Sequence, residues 1–464
     1  MCTRKADPPP LLTTNAMLAP RSASGAARAP TATTNASRGL QQRQVLMRRR
    51  AAPATSLVTA AAAATLETPT TPLRQRRAPA TSSIIARAAP ETTTSTTPPS
   101  APSTKPLLDL QERANFLRQD LPNLFTEKGV DPAAYAPRVA FLDPITRYSS
   151  LSGYMFNIRF LTKAFSPLPL RVHGMRLTSP TEITSRWTMT MRFAPARLLP
   201  GGGKLWDPRI EFTGTSAYGF DAATGKIVRH VDTWDSIERQ DFFSLEAFGD
   251  FLRQLANLKR TPQGLEQPPC ETLRRHSTFS VRRYASFDVA EAPLDGVGEA
   301  ASSSSSSYNP AGRSVGAFRA LAAYLFGGNA QGKAMAMTTP VLSDSAGRMQ
   351  FVLPSSSSSS SSSSTPSPLP GSPVKVRSHP GGLFAVREFS GVATPALVAS
   401  EASALRADVA AAGFALKEGS AVRLARYNDP SVKPRFRRNE VLLALDEQAF
   451  DLWKGGPGEG APEL

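Results

Sequence analysis

The 464-residue chain is poor in cysteine and histidine, with two of the first (Cys2 and Cys270) and four of the second. Two thiols so far apart provide neither a disulfide framework nor a cysteine-based metal site. No window approaches the run of about 18 apolar residues that a membrane-spanning helix requires. The chain also lacks a Walker loop, a dinucleotide-binding glycine fingerprint, a GxSxG elbow and an HExxH pair. These absences remove the sharpest enzymatic signatures and favour a binding protein without catalysis. Acidic residues are scarce at one end: residues 1–106 hold three, Asp7, Glu67 and Glu91, against 14 Lys or Arg.

That segment contributes +11 of the formal +17, leaving 40 basic and 34 acidic residues over the other 358. The remainder is therefore an ordinary, mildly basic surface, and nucleic acid is not the expected partner. An Arg-rich, acid-poor, hydroxyl- and alanine-rich N-terminus without a long apolar core has the composition of an organelle transit peptide, which points to chloroplast import. The alternative is a low-complexity extension with no address. Either way it stands outside the fold.

Periodic structure begins at Leu107, where Leu110, Leu117, Leu121, Leu124 and Phe125 recur at helical spacing up to Gly129, with Pro122 set to bend or divide the helix. From Ile183, apolar Ile183, Trp187, Met189, Met191 and Phe193 alternate with Thr184, Arg186, Thr188, Thr190 and Arg192, the pattern of a half-buried strand. Strands from Arg209 and Lys226 follow. A helix from Ser244 then places Leu245, Phe248, Phe251, Leu252 and Leu255 on one face. Residues 107–258 thus read as an α+β domain whose antiparallel sheet curls over helices, and residues 259–268 as a linker.

The second half shows the order strand, helix, strand, strand twice. The first pass is FSVRRYASFDVAEAP, a helix from Ser314, MAMTTPV and MQFVLP; the second is GLFAVREFSG, a helix from Pro395, AVRLARYN and NEVLLAL. Such a repeat predicts a barrel-like antiparallel sheet of pseudo-twofold symmetry with two helices outside. Serine-rich loops at 302–307 and 355–364 interrupt it, and residues 456–464 read as a flexible tail.

Six segments in order, FSVRRYASFDVAE from Phe279, LFGGN from Leu325, MAMTTPV from Met335, FSG from Phe389, LARYNDP from Leu424 and RRNEV from Arg437, resemble the SOUL haem-binding family over 269–455. The preceding domain, through VAFLDPITRY, RWTMTMRF, FTGTSAYGFD and KIVRHVDTWDSI, is similar to a plant and algal domain of unknown function with the cone fold of ketosteroid isomerase. The resemblance implies a haem or other tetrapyrrole (porphyrin) ligand, a role as carrier, buffer or sensor, and a plastid address on plastoglobules or thylakoid-associated lipid bodies. It also implies a cleft along the helix from Ser314, with cations on that helix and in the loop before RRNEV.

A tetrapyrrole needs an apolar wall and cations for its propionates. Phe318, Ala322, Leu325 and Phe326 offer the wall, Ala323 close approach, and Arg319 and Lys433 the charge. Neither His276 nor His379 falls inside a family segment, so binding without a strong axial ligand is expected, and Met335 and Met337 read as core. No metal site of protein ligands is expected. In the first domain a period of two puts Val228, His230, Asp232 and Trp234 on one strand face. With Asp143 they form a candidate pocket, and a lyase or isomerase acting on a small apolar metabolite is the alternative function. A structural lipid-body component is the other.

Overall fold

The computed structural model describes residues 108–193, 208–240, 243–257, 259, 261–262, 264–294, 314–355 and 365–464. The expected transit segment 1–106 and the serine runs 302–307 and 356–364 lie outside them. The described residues belong to one compact unit, Pro98–Leu464, that contains two sheets.

Helix α1 (Leu110–Asp120) opens on Asp109, whose side chain accepts from Glu112 N–H, and ends where Pro122 turns the chain into a 3-10 turn at Leu121–Asn123. The first sheet is built from β1 (Tyr135–Leu142), β2 (Arg147–Tyr148), β3 (Phe165–Pro167), β4 (Arg171–Ser179), β5 (Glu182–Phe193), β6 (Arg209–Phe220) and β7 (Ile227–Trp234). Its order is β2-β1-β7-β6-β5-β3, with β4 also on β5. All pairs are antiparallel except β1 with β7. Helix α2 (Leu151–Ala164), capped by Ser150, and α1 supply Tyr154, Leu117 and Leu121 to the core beneath this sheet.

Register decides what the concave face carries. Ile183, Ser185 and Trp187 stand opposite Tyr218, Ser216 and Gly214, which stand opposite His230, Asp232 and Trp234. Phe141 of β1 lies opposite His230 on the far side. Gly214 is demanded by close approach, since a Cβ there would sit 1.9 Å from the Thr233 carbonyl oxygen. Val228 does not share the His230 face. A bulge at this point pairs Ile227 with Phe220 but Arg229 with Gly219, so Ile227 turns inward and Val228 is exposed.

Strand β5 is not half-buried, because Thr184, Arg186 and Thr188 on its polar face are buried as well. They are covered by β8 (Cys270–Arg275) of the second half, where Thr188 Oγ1 donates to Thr272 O at 2.7 Å. Asp235 pairs with Arg186 and, at 3.2 Å, with Arg274, and all three are buried. Helix α3 (Leu245–Leu255) is rotated relative to its apolar pattern, with only Phe251 and Leu255 of that face packed on the core. Asp250 and Gln254 face inward, Asp250 pairing with Arg275 at 2.8 Å, while Leu245, Phe248 and Leu252 are exposed. The ion pair fixes the rotation that amphipathicity alone would have set the other way. Residues 456–464 are no free tail: Leu177 N–H donates to Pro462 O and Leu464 N–H to Met175 O, so the C-terminus lies along β4. Trp453, stacked under the Arg176 guanidinium, anchors that segment.

The second sheet comprises β8, β9 (Ser280–Tyr284), β10 (Phe287–Pro293), β11 (Val341–Asp344), β12 (Arg348–Val352), β13 (Lys375–His379), β14 (Gly382–Phe389), β15 (Arg423–Arg426) and β16 (Asn439–Ala444), in the order β13-β10-β12-β11-β15-β16-β14-β9-β8. Every pair is antiparallel. The repeat is plain in this order: β10-β12-β11 mirrors β14-β16-β15, and the halves meet at β11 and β15. FSVRRYASFDVAEAP is two strands, not one, since the chain leaves β9 in one half and enters β10 in the other. MAMTTPV is extended chain up to Val341, where β11 begins. Leu342, Val352, Phe384, Val386, Ala425 and Leu442 form one cluster across five neighbouring strands, on the inner face of the curled sheet. Beside them inside the curl, Glu440 accepts from Arg282 at 2.9 Å, Arg438 at 2.6 Å and the Tyr427 hydroxyl at 2.8 Å. Outside, α4 (Ser314–Leu325) packs on β10 and β12, and α5 (Pro395–Ala411), capped by Thr394, packs on β14 and β16.

The α4 face and the interior of the first sheet as candidate functional sites

Helix α4 has two apolar sides. Ala317, Leu321, Tyr324 and Leu325 are buried against Ala290, Ala292, Met349 and Phe351 of the sheet. Val315, Phe318, Ala322 and Phe326 recur at helical spacing on the other side, and Phe318 and Phe326 are 47% and 59% exposed. Two large apolar rings held in water on one stripe are the informative departure from core packing. Phe318 is not loose, for its ring meets Phe351 edge-on at 5.3 Å. The chain after α4 turns back along it: Phe326 and Ala334 form a bridge, Met335 N–H donates to Leu325 O, and Met337 is left 51% exposed. Met335 packs in the core as expected; Met337 does not.

Arg319 is exposed on the same helix, and Lys333 is exposed beyond its C-terminus; neither has an ion pair among the described residues. Ala323 is exposed and leaves the surface low. Of the expected site residues, the structure gathers Phe318, Arg319, Ala322, Ala323 and Phe326 on this helix and assigns Leu325 to the core. Lys433 stands exposed on the hairpin between β15 and β16 and makes no hydrogen bond or ion pair to α4. At the base of the hairpin Thr339 Oγ1 donates to Tyr427 O at 3.1 Å. Val315 and Met337 complete the face and were not among the expected residues. Their signal was the spacing 315, 318, 322, 326, which the sequence pattern alone merges with the buried stripe one residue away.

No histidine stands on this face. His276 stacks on Phe279 at 4.5 Å in the turn between β8 and β9. His379 stacks on Phe287, accepts from Gly381 N–H at Nδ1 and has Arg423 at Nε2. Among the described residues no group of three His, Cys, Asp or Glu side chains could hold a metal, and no helix is long and apolar enough to cross a membrane.

With this geometry, residues 265–444 match the family model described as SOUL heme-binding protein. The second half of this chain is a SOUL domain. Residues 111–230 match a second model, an uncharacterized conserved protein family (DUF2358). No curated protein matches the chain. Among solved structures, an NTF2-like protein of unknown function from Exiguobacterium sp. 255-15 is 15% identical with a TM-score of 0.21, covering 26% of this chain and 99% of its own. An LEH-like epoxide hydrolase from M. tuberculosis is 13% identical with a TM-score of 0.24, covering 32% and 92%. A polyketide-cyclase-like protein from Xanthomonas campestris pv. campestris is 14% identical with a TM-score of 0.23, covering 32% and 99%.

The domain ahead of the SOUL domain holds a second constellation. Asp232 Oδ1 accepts from His230 Nε2 at 2.9 Å and from Ser216 Oγ, which itself accepts from the Trp187 indole N–H at 2.7 Å. A carboxylate oxygen only accepts, so Nε2 is the donor of this bond. The ring is fixed from three sides: Tyr218 stacks at 4.3 Å, and Phe141 and Tyr154 meet it edge-on at 5.0 and 5.5 Å. Nδ1 has no hydrogen-bond partner, whereas the Tyr154 hydroxyl is turned towards the Tyr135 oxygen and the Ser185 hydroxyl towards that of Tyr218. Burial pushes both tyrosine hydroxyls above the ordinary phenol range, which keeps them protonated donors.

Of the expected pocket residues, the structure joins His230 to Asp232 and separates the other two. Trp234 packs on Phe212 at 4.4 Å as a core aromatic. Asp143 spends its carboxylate on its own turn, accepting from Ile145 N–H at 2.7 Å, Thr146 N–H, and Thr146 Oγ1 at 2.6 Å. Burial, outweighing these bonds, raises it to about 6, with the Asp232 charge adding to the rise. The folded state therefore holds a proton that the unfolded chain releases between the ordinary value and about 6, and this contribution to stability falls as pH rises through that window. Asp143→Asn keeps the acceptor of the turn and is expected to flatten the dependence of Tm on pH between 4 and 6, as differential scanning fluorimetry across that range would show.

A groove of about 350 Å³ also lies between the two sheets, where His173, Glu271 and Arg283 meet Phe450. His173 Nε2 is bonded to Thr188 Oγ1 at 2.8 Å, and burial pushes the imidazole down to about 4. The groove shares no residue with either constellation.

Proposed function

We propose that the protein binds haem or an iron-free porphyrin on the outward face of α4 and serves as a carrier, buffer or sensor of tetrapyrrole. The exposed stripe Val315, Phe318, Ala322 and Phe326 carries this reading: it is an apolar strip that the fold leaves in water, with Arg319 on the same helix for a propionate. The absence of a histidine from that face favours binding through the macrocycle rather than through iron. The N-terminal composition favours a plastid location, and the exposed Leu245, Phe248 and Leu252 of α3 favour peripheral contact with a lipid surface there.

The full chain titrated with haem should give a saturable Soret change, and protoporphyrin should quench tryptophan fluorescence with an affinity within about an order of magnitude of it. Phe318→Glu with Phe326→Glu alters two exposed side chains and should leave Tm unchanged while weakening both ligands at least ten-fold. Arg319→Glu should weaken them several-fold, in a salt-dependent way. Unaltered affinity in the phenylalanine variant would remove α4 from the site, and no binding of either pigment would remove the proposal.

A further inference from the structure

We infer that the groove between the two sheets is a binding site for a small zwitterion, an α-amino acid with an apolar side chain, whose ammonium group sits between His173 Nδ1 and Glu271 and whose carboxylate lies on Arg283. The backbone is shaped for it. His173 is the extra residue of a bulge in β4, where Val172 pairs with Trp187 but Gly174 with Arg186. Leu273 is likewise the extra residue of a bulge in β8, where Thr272 pairs with Arg282 but Arg274 with Val281. A bulge breaks the strict alternation of a strand, and so the neighbours Val172 and His173 both reach the groove. Two strands of different sheets thus leave register at the residues that line the same space.

The polar groups define what is missing. The Thr188 hydroxyl has one proton and gives it to Thr272 O at 2.7 Å, so at 2.8 Å it accepts from His173 Nε2. Burial pushes the imidazole down to about 4 and keeps it neutral at pH 7, which leaves Nδ1 an acceptor without a hydrogen bond, on a side chain 6% exposed. Nδ1 faces a second acceptor, Glu271 Oε1, at 3.5 Å. Two acceptors side by side call for one charged donor that bonds both, as an ammonium group does. Arg283 stands opposite Glu271 in the ladder, but Glu271 leans to Arg171, also at 3.5 Å. The exposed Arg283 guanidinium is left with no hydrogen bond or ion pair among the described residues, and its fork suits a carboxylate. An anion alone would meet Glu271, and a cation alone would meet Arg171 and Arg283, so the charges favour a ligand that carries both signs. Leu273, Phe450 and Leu452 supply an apolar wall, and a volume of about 350 Å³ is near the lower end for ligand clefts, which suits a small metabolite. The groove lies at the β8–β9 edge of the second sheet, whereas α4 packs on β10 and β12 towards the opposite edge, so this site is separate from the α4 face.

L-Leucine is the probe, with isoamylamine and isocaproate as the counterparts that lack its carboxylate and its ammonium group. In calorimetric titration of the full chain, leucine should bind saturably, and each counterpart at least ten-fold more weakly. Arg283→Met keeps the aliphatic stem of an exposed side chain, so it should leave Tm unchanged, weaken leucine at least ten-fold and leave isoamylamine within about two-fold of wild type. Glu271→Gln removes the charge and sets an amide N–H beside Nδ1, where the ammonium group would sit, and should weaken leucine and isoamylamine together. Absence of saturable leucine binding overturns the inference, as does binding of either counterpart as tight as that of leucine. Retained leucine affinity in folded Arg283→Met places the amino acid elsewhere and overturns it too. Should that variant lower Tm, Glu271→Gln decides, and retained leucine affinity there overturns the inference in the same way.

Discussion

Asp235→Ala is expected to lower the unfolding free energy by about 3–5 kcal/mol, because it strands two buried guanidinium groups at once. Arg186 is 1% exposed and Arg274 7%, and Asp235 is the acid that the two share. The loss should appear as a lower urea midpoint with little change in slope, since both sheets unfold from the same compact unit. Glu182→Ala, which breaks the solvent-facing pair with Arg229 on the same sheet, should cost under about 1 kcal/mol and serves as the contrast. Burial alone would raise the Asp235 carboxyl, but Arg186 and Arg274 outweigh burial and hold it below its ordinary value of 3.8. Its contribution is therefore complete above that value and is lost as pH falls below it. Because Arg274 belongs to β8 and Arg186 to β5, the same substitution also loosens the joint between the two halves. An equal midpoint in wild type and variant would show that the joint rests on β8 packing and the C-terminal segment instead.

Glu440→Ala should cost a similar amount, about 3–5 kcal/mol, for the same reason in a different place. Glu440 is fully buried inside the curled second sheet, where Arg282 and Arg438 both bond its Oε1 and the Tyr427 hydroxyl bonds its Oε2. Burial opposes its charge, yet the two arginines win and bring the carboxyl down to about 2. Stability from this group is present above the ordinary glutamate value of 4.5 and fades as pH falls towards about 2. Acid titration of wild type followed by circular dichroism should lose structure in that window, and the variant should lose less of its remaining stability there. Since Glu440 lies inside the curl and α4 outside, haem affinity measured where the variant is still folded should stay within about two-fold of wild type. A larger drop would mean that the inner network shapes the outer face.

Much of the second half was legible because its sequence signals are local and repeated. The order strand, helix, strand, strand and the six ordered segments point to the same layout, and the sheet order agrees with it. The α4 site was legible in part. Phe318, Arg319, Ala322, Ala323 and Phe326 share the outward side of the helix, whereas Leu325 belongs to the buried side, a difference of one residue that periodicity cannot separate on a helix apolar all round. In the first domain the pair His230 and Asp232 was visible as a period of two, but Tyr135, Tyr154, Ser185 and Ser216 were not. They come from β1, α2, β5 and β6, and only sheet register and helix packing bring them to the same imidazole.

By itself the sequence determined the α+β class, the repeat within the second half, the families that the two halves resemble, and the basic composition of the N-terminal segment. Those properties follow from composition and short-range pattern, which do not depend on what packs where. Tertiary structure alone decided the rotation of α3, the burial of the polar face of β5, the anchoring of residues 456–464 along β4 and the bulge that turns Val228 outward. In the first two, a charged or hydroxyl side chain found a partner on a distant strand, and that bond outweighed the local preference of the segment. The polar cluster around His230 is of the same kind, for only strand register and helix packing bring its members together.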